Sequence, residues 1–179
     1  FTIRGEKAVL ENCSEEDVSP IRRFRIQIRG ELPFRISFRI PHWAKGENRI
    51  LVNGEDSGLE PLPDSWAVLE RVWQDVITVT CPFRLEFKPV DEKNKDIAAL
   101  MFGPVVLAAD KMTLFDGDME KPEEWITCVD EKEMLFRTLP GHVCPYPQEI
   151  RTFRPYYKIP VMEWYFMYVR FRMQTEERA

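Results

Sequence analysis

The side chains able to do acid–base chemistry are few in this 179-residue sequence. Glu163 stands out because it lies in an otherwise apolar run, Val161–Met173, where burial would raise its pKa toward that of a general acid. Glycoside cleavage needs a second carboxylate about 5–9.5 Å from the first. The i±2 neighbours of Glu163 on a strand are Val161 and Tyr165, so a partner would have to come from another strand. The ordinary alternative is a carboxylate paired with an arginine or facing water. The two histidines, His42 and His142, follow Pro41 and Gly141 in loop-like contexts. Cys144 lies two residues from His142, a spacing that is not the usual geometry of a Cys/His nucleophile pair. There is no G-x-S-x-G, no G-x-G-x-x-G and no phosphate-binding loop, so neither a nucleophile elbow nor a nucleotide cofactor is expected.

Metal chemistry fares no better. Cys13, Cys81, Cys128 and Cys144 are separated by 68, 47 and 16 residues, without the clustered spacing of a zinc site. Buried free thiols are the expectation, with one disulfide open as an alternative. The acidic run Asp116–Glu124 offers hard oxygen ligands but not the spacing of a calcium loop, and a solvated acidic loop is expected. No metal and no other cofactor is therefore anticipated. Aromatic residues are the remaining resource. Trp43, Trp125, Tyr146, Tyr156, Tyr157 and Trp164 fall in loops or at strand ends, where flat rings can stack on sugar faces. Trp125, Tyr146, Tyr157 and Glu163 are the candidates for sugar contact, against the alternative of plain core packing.

These side chains must be carried by strands. Phe24, Ile26 and Ile28 alternate with Arg23, Arg25, Gln27 and Arg29. After a turn at Gly30–Pro33, Phe34, Ile36, Phe38 and Ile40 alternate with Arg35, Ser37 and Arg39. Period two of this kind marks half-buried strands, and the two are predicted to pair as an antiparallel hairpin with a shared apolar face. Short strands are also predicted at Arg49–Glu55, ending in the Asn53-Gly54 turn, and at Trp66–Trp73, Asp75–Cys81 and Phe83–Lys88. Short strands at this spacing predict an all-β, antiparallel, jelly-roll-like sandwich. Val90–Asp96 is a seam, giving a β-sandwich module over 1–90 and a second, smaller β portion over 91–179 that packs on or completes the first. In the second portion Ile97–Ala109 reads as a strand buried on both faces, Pro122–Thr127 as one helical turn, Val161–Met173 as a central strand, and the end as a polar tail.

Composition narrows the partners. The formal net charge is −5, and residues 91–140 hold twelve carboxylates against six basic side chains, which argues against a nucleic-acid backbone. The densest apolar run, Ile97–Ala109, falls short of the ~18–20 residues of a membrane span. The sequence starts at Phe1 without an initiator Met or a signal-type segment, and is expected to be a piece of a longer protein.

Four blocks in order carry a family resemblance: "FRISFRIPHWA" (34–44), "ILVNGE" (50–55), "RVWQDVITVTCPFRLE" (71–86) and "DIAALMFGPVVLAA" (96–109), closed by "FRPYYKIPVMEWYFMYVRF" (153–171). Over residues 20–173 the chain resembles the C-terminal β-sandwich region of glycoside hydrolase family 127, the bacterial β-L-arabinofuranosidase-like proteins. The resemblance implies β-sandwich modules behind an upstream (α/α)6 barrel that holds the family's catalytic glutamate and zinc-binding, nucleophilic cysteine cluster. None of that catalytic pattern occurs here, so no catalytic residue is carried over. Gln74 stands where relatives often have Gly, and Val161-Met162 where they often have polar residues, frequently His. The resemblance implies a non-catalytic accessory domain of a periplasmic or secreted glycosidase. Its partners would be the barrel of the same chain or a second copy in a homodimer. The alternative is a carbohydrate-binding module using exposed aromatics.

Overall fold

Alternation of period two dominates the first eighty residues, and the backbone follows it. In the computed structural model the described residues are 2–3, 6–14, 18–28 and 33–172. Residues 30–32 of the predicted Gly30–Pro33 turn, and the polar tail, lie outside them. The chain divides into two compact units, Phe1–Arg84 and Leu85–Ala179.

The first unit contains β1 (Thr2–Ile3), β2 (Glu6–Asn12), β3 (Ile21–Ile28), β4 (Phe34–Ile40), β5 (Arg49–Val52), β6 (Glu55–Asp56), β7 (Ser65–Arg71) and β8 (Gln74–Thr80). Six strands form one sheet in the order β1-β2-β3-β8-β5-β6, while β4 and β7 form a second, all antiparallel. Ile26, Phe38, Ile40, Ile50, Trp73 and Ile77 join in one buried cluster, with Phe24, Phe34 and Ile36 packed against it. The inward faces of β3 and β4 are thus the predicted ones, with Ile28 outside the described side chains. Their pairing is not the predicted one: β3 bonds to β2 and β8, and β4 bonds to β7. The physical reason is that a β3–β4 hairpin would put both apolar faces on one side of one sheet. Placed in opposite sheets, the two faces cover each other, and the rings of Phe24 and Phe38 meet at 6.0 Å. Complete burial of a side chain such as Ile26 or Ile40 contributes roughly 1.5–3 kcal/mol. Trp73 fits this dry layer because its indole N–H donates to the Phe34 carbonyl at 2.8 Å.

The second unit contains β9 (Leu85–Pro89), β10 (Ile97–Phe102), β11 (Val105–Ala109), β12 (Leu114–Phe115), β13 (Ile126–Asp130), β14 (Leu135–Thr138), β15 (Val143–Cys144), β16 (Thr152–Pro155) and β17 (Val169–Phe171). One sheet orders eight of them β13-β14-β16-β11-β10-β17-β12-β15, with β9 also paired to β10. All pairs are antiparallel except β12 with β17. The Ile97–Ala109 run is two strands rather than one, because Gly103 at φ +57° and Pro104 turn it back as a hairpin. The Val90–Asp96 segment is the connection between β9 and β10. There Asp91 accepts the amides of Lys93 and Asn94 at 2.7 and 2.8 Å, and its bonds from Asn94 and then Lys93 hold its carboxyl below the usual range.

Rings from distant strands fill the core of this unit. Phe115, Trp125 and Phe171 lie within 6.2 Å of one another by ring centroid. Gly117 permits this approach, since a Cβ there would stand 2.8 Å from the Trp125 ring. Arg151 is buried yet partnered: its Nε donates to the Thr113 hydroxyl at 2.6 Å, and its Nη1 meets Glu149 at 2.7 Å.

The predicted central strand Val161–Met173 is the largest departure. Among its described residues, only β17 and a single bridge, Ala109 with Phe166, join the sheet. Pro160 has no N–H for a ladder, and a turn closes with Glu163 N–H on the Pro160 carbonyl at 2.9 Å. The chain between Pro160 and Phe166 is a loop.

Candidate functional site

That loop carries the most exposed apolar side chains of the described chain. Val161 is 99% exposed, Met162 92% and Trp164 89%. Tyr156 and Tyr157, half exposed, precede it on a one-turn 3-10 helix, Tyr156–Lys158. Three large apolar side chains within four residues are thus open to water.

Glu163 lies in this loop, not in a buried strand, which removes the desolvation its acid role required. Its Oε2 accepts from Arg154 Nη2 at 2.6 Å, and both side chains remain partly open to water. The expected sugar contacts are likewise dispersed. Trp125 is 2% exposed and belongs to the core: one ring face stacks on Phe87 at 5.6 Å and 10°, another on His142 at 5.2 Å and 28°. Its indole N–H donates to the Asp118 carbonyl at 2.9 Å, so both faces and the polar edge are in use. Tyr146 is exposed on a separate loop after β15. Tyr157 stands perpendicular to Tyr156, at 85° and 5.8 Å, rather than coplanar with it.

The thiols are all free. Cys81 alone is buried, Cys128 is exposed, and Cys13 and Cys144 are intermediate, so the expectation of buried thiols holds only at Cys81. Burial pushes the Cys81 thiol up, and burial with the neighbouring Glu131 pushes Cys128 up. Both shifts run against the thiolate a nucleophile needs.

Two features escaped the sequence reading. Trp66 points outward from β7 with the Arg39 guanidinium 5.7 Å from its ring, and Arg39 also pairs with Asp64. The second is a polar knot in the first unit. Asn53, at φ +53° and followed by Gly54 at φ +88°, makes the tight β5–β6 turn. Its Nδ2 donates to Asp75 Oδ1 at 2.6 Å, and its Oδ1 accepts from the Val76 amide at 2.9 Å. Arg71 Nε lies 2.8 Å from Asp75 Oδ2, as an ion pair not aligned as a hydrogen bond. Asp75 is buried, and these partners supply the polar contacts its carboxyl group needs there. The blocks "ILVNGE" and "RVWQD" contained the signal, but not that the two would touch.

The geometry can be set beside known proteins. Residues 10–85, nearly the whole first unit, match the sequence model described as "Beta-L-arabinofuranosidase, GH127 middle domain". No curated protein matches the chain by sequence. Among solved structures, a GH127 β-L-arabinofuranosidase from Geobacillus stearothermophilus T6 superposes with TM-score 0.70 at 17% identity, covering 96% of this chain and 32% of that one. A GH127 β-arabinofuranosidase gives TM-score 0.67 at 16% identity, covering 96% and 33%. A protein titled glycoside hydrolase gives 0.66 at 15%, covering 92% and 32%. The chain spans about a third of the length of these structures. The likeness beyond residue 85 is one of fold. By these matches, residues 10–85 are similar to the middle domain of glycoside hydrolase family 127, and the chain shares its fold with about a third of the length of those structures.

Proposed function

We propose that the chain is a non-catalytic accessory β-region of a β-L-arabinofuranosidase-like glycosidase, and that it docks through the Val161–Trp164 loop on the helical catalytic barrel of the same protein. The exposed loop is the observation that carries this reading. Full burial of Val161, Met162 and Trp164 would contribute roughly 1.5–3 kcal/mol each, enough to hold two domains in register and too much apolar surface to leave in water without use. The match to a middle domain supports placement beside a catalytic domain. The single carboxylate of interest, Glu163, is engaged by Arg154, which supports a structural rather than a chemical task.

The test is a titration of the 179-residue chain into the separately produced barrel of a family 127 enzyme. Saturable association is expected, weakened at least tenfold by Trp164→Ser. No association, or equal association by the variant, refutes the docking. Self-association of the chain that Trp164→Ser abolishes would reassign the loop to a dimer contact. The alternative of a carbohydrate-binding module built on exposed aromatics has less support, because Trp125 is buried and the Tyr156–Tyr157 pair is perpendicular.

A further inference from the structure

A pocket of about 390 Å³ opens on the first unit between the β5–β6 hairpin and the end of β7. Its volume falls within the ~300–1,000 Å³ of small-molecule sites. We propose that it binds a small, neutral, polyhydroxylated ligand of monosaccharide size. This does not rest on the docking reading, which concerns the other unit.

The lining supplies the chemistry. Val52 and Leu69 give an apolar floor for a C–H face, and Asn53, Glu55, Asp56, Ser57 and Arg71 give the polar walls. Arg71 is held in place by its ion pair with buried Asp75, itself fixed by Asn53 at 2.6 Å. With Nε beside Asp75 but not aligned to it, the two terminal nitrogens of the guanidinium keep their N–H groups, which make no hydrogen bond among the described residues. A pinned cation loses little side-chain freedom on binding, the usual advantage of a preorganised donor. Glu55 has no hydrogen bond or ion pair among the described residues, so both its carboxylate oxygens can accept. Asp56 spends Oδ1 on the Gly58 amide at 2.8 Å and keeps Oδ2. The Ser57 hydroxyl oxygen accepts weakly from the Leu59 amide at 3.4 Å, which leaves its O–H to donate.

Residues with donors and residues with acceptors therefore line one space. A hydroxyl both donates and accepts, and a set of neighbouring hydroxyls uses a guanidinium and carboxylates together. The charged walls sum to one cation against two carboxylates, which disfavours a phosphate or sulfate. A hydrocarbon would leave the polar walls unpaired.

The experiment titrates the 179-residue chain with a panel of neutral pentoses and hexoses, following amide shifts of Gly54, Ser57 and Arg71. Inorganic phosphate and ethanolamine serve as contrasting probes. At least one neutral sugar should give saturable shifts at these amides with a Kd of about 1 mM, some −4 kcal/mol. Glu55→Gln, on an exposed and unpaired side chain, should weaken it about tenfold with unchanged thermal melting, as expected for losing a charge-assisted hydrogen bond. Ser57→Ala should weaken it less. Absence of saturable shifts with every sugar to ~100 mM, equal affinity in Glu55→Gln, or shifts from ethanolamine alone would each overturn the proposal.

Discussion

Replacing Asn53 by alanine should cost about 2.5–6.5 kcal/mol, and the structure divides that figure. The Nδ2 bond at 2.6 Å is one of two contacts to a buried carboxyl group, and its loss leaves Asp75 Oδ1 unsatisfied, a cost of about 1–3 kcal/mol. The Oδ1 bond to the Val76 amide at 2.9 Å sits nearer solvent, so its loss costs about 0.5–1.5 kcal/mol. Alanine at φ +53° adds about 1–2 kcal/mol of left-handed strain. Asn53→Gly removes the same two hydrogen bonds without that strain, so it should be the milder variant by about 1 kcal/mol. Urea unfolding followed by circular dichroism reads the difference as a shift in midpoint at unchanged slope. Combined with Asp75→Asn in a double-mutant cycle, the pair should show a coupling of about 0.5–3 kcal/mol. If Asn53→Ala and Asn53→Gly both fall within about 0.5 kcal/mol of the parent, the knot contributes nothing and the reasoning fails.

Three further outcomes are expected. Ile26→Ala and Ile40→Ala empty sites of 0% exposure and should each cost about 2–5 kcal/mol, whereas half-buried Ile36→Ala should cost less; equal losses in urea unfolding would contradict the two-sheet packing. Glu163→Gln should change stability by less than about 1 kcal/mol, because its pair with Arg154 is solvent-exposed, and neither form should hydrolyse aryl glycosides above buffer; turnover lost in the variant would reveal a missed site. Burial raises the Cys81 thiol above its ordinary value, so the native state holds that proton more tightly than the unfolded chain does. Its contribution is complete below the unfolded thiol pKa and is lost as pH rises through the folded one. Stability should therefore decline on the alkaline side, and Cys81→Val should flatten that decline in melts taken across that range.

Much of the chain was legible as pattern. Strict alternation on β3 and β4 named Ile26, Phe38 and Ile40 as core residues, since a one-residue slip would put every apolar chain in water. The Asn53-Gly54 pair named its turn, because those two residue types tolerate positive φ. Gly103-Pro104 held a turn signal too, but an unbroken apolar run concealed that it joined two strands.

Pairing was beyond the sequence. Alternation states which side of a strand is apolar, not which sheet will cover it, and β3 and β4 met across the core instead of along an edge. Burial of isolated aromatics was equally a tertiary matter. Trp125 and Trp164 look alike in sequence, yet one is clasped between Phe87 and His142 while the other stands in water, since only the first has strands folded around it. The knot joins Asn53 to Asp75 across 22 residues, a contact created when β5 and β8 pair. Local chemistry determined the all-β class, the turns and the inward faces. The placement of the exposed loop, the buried charge and the pocket beside Arg71 was decided by long-range closure, because each requires backbone segments that no local preference brings together.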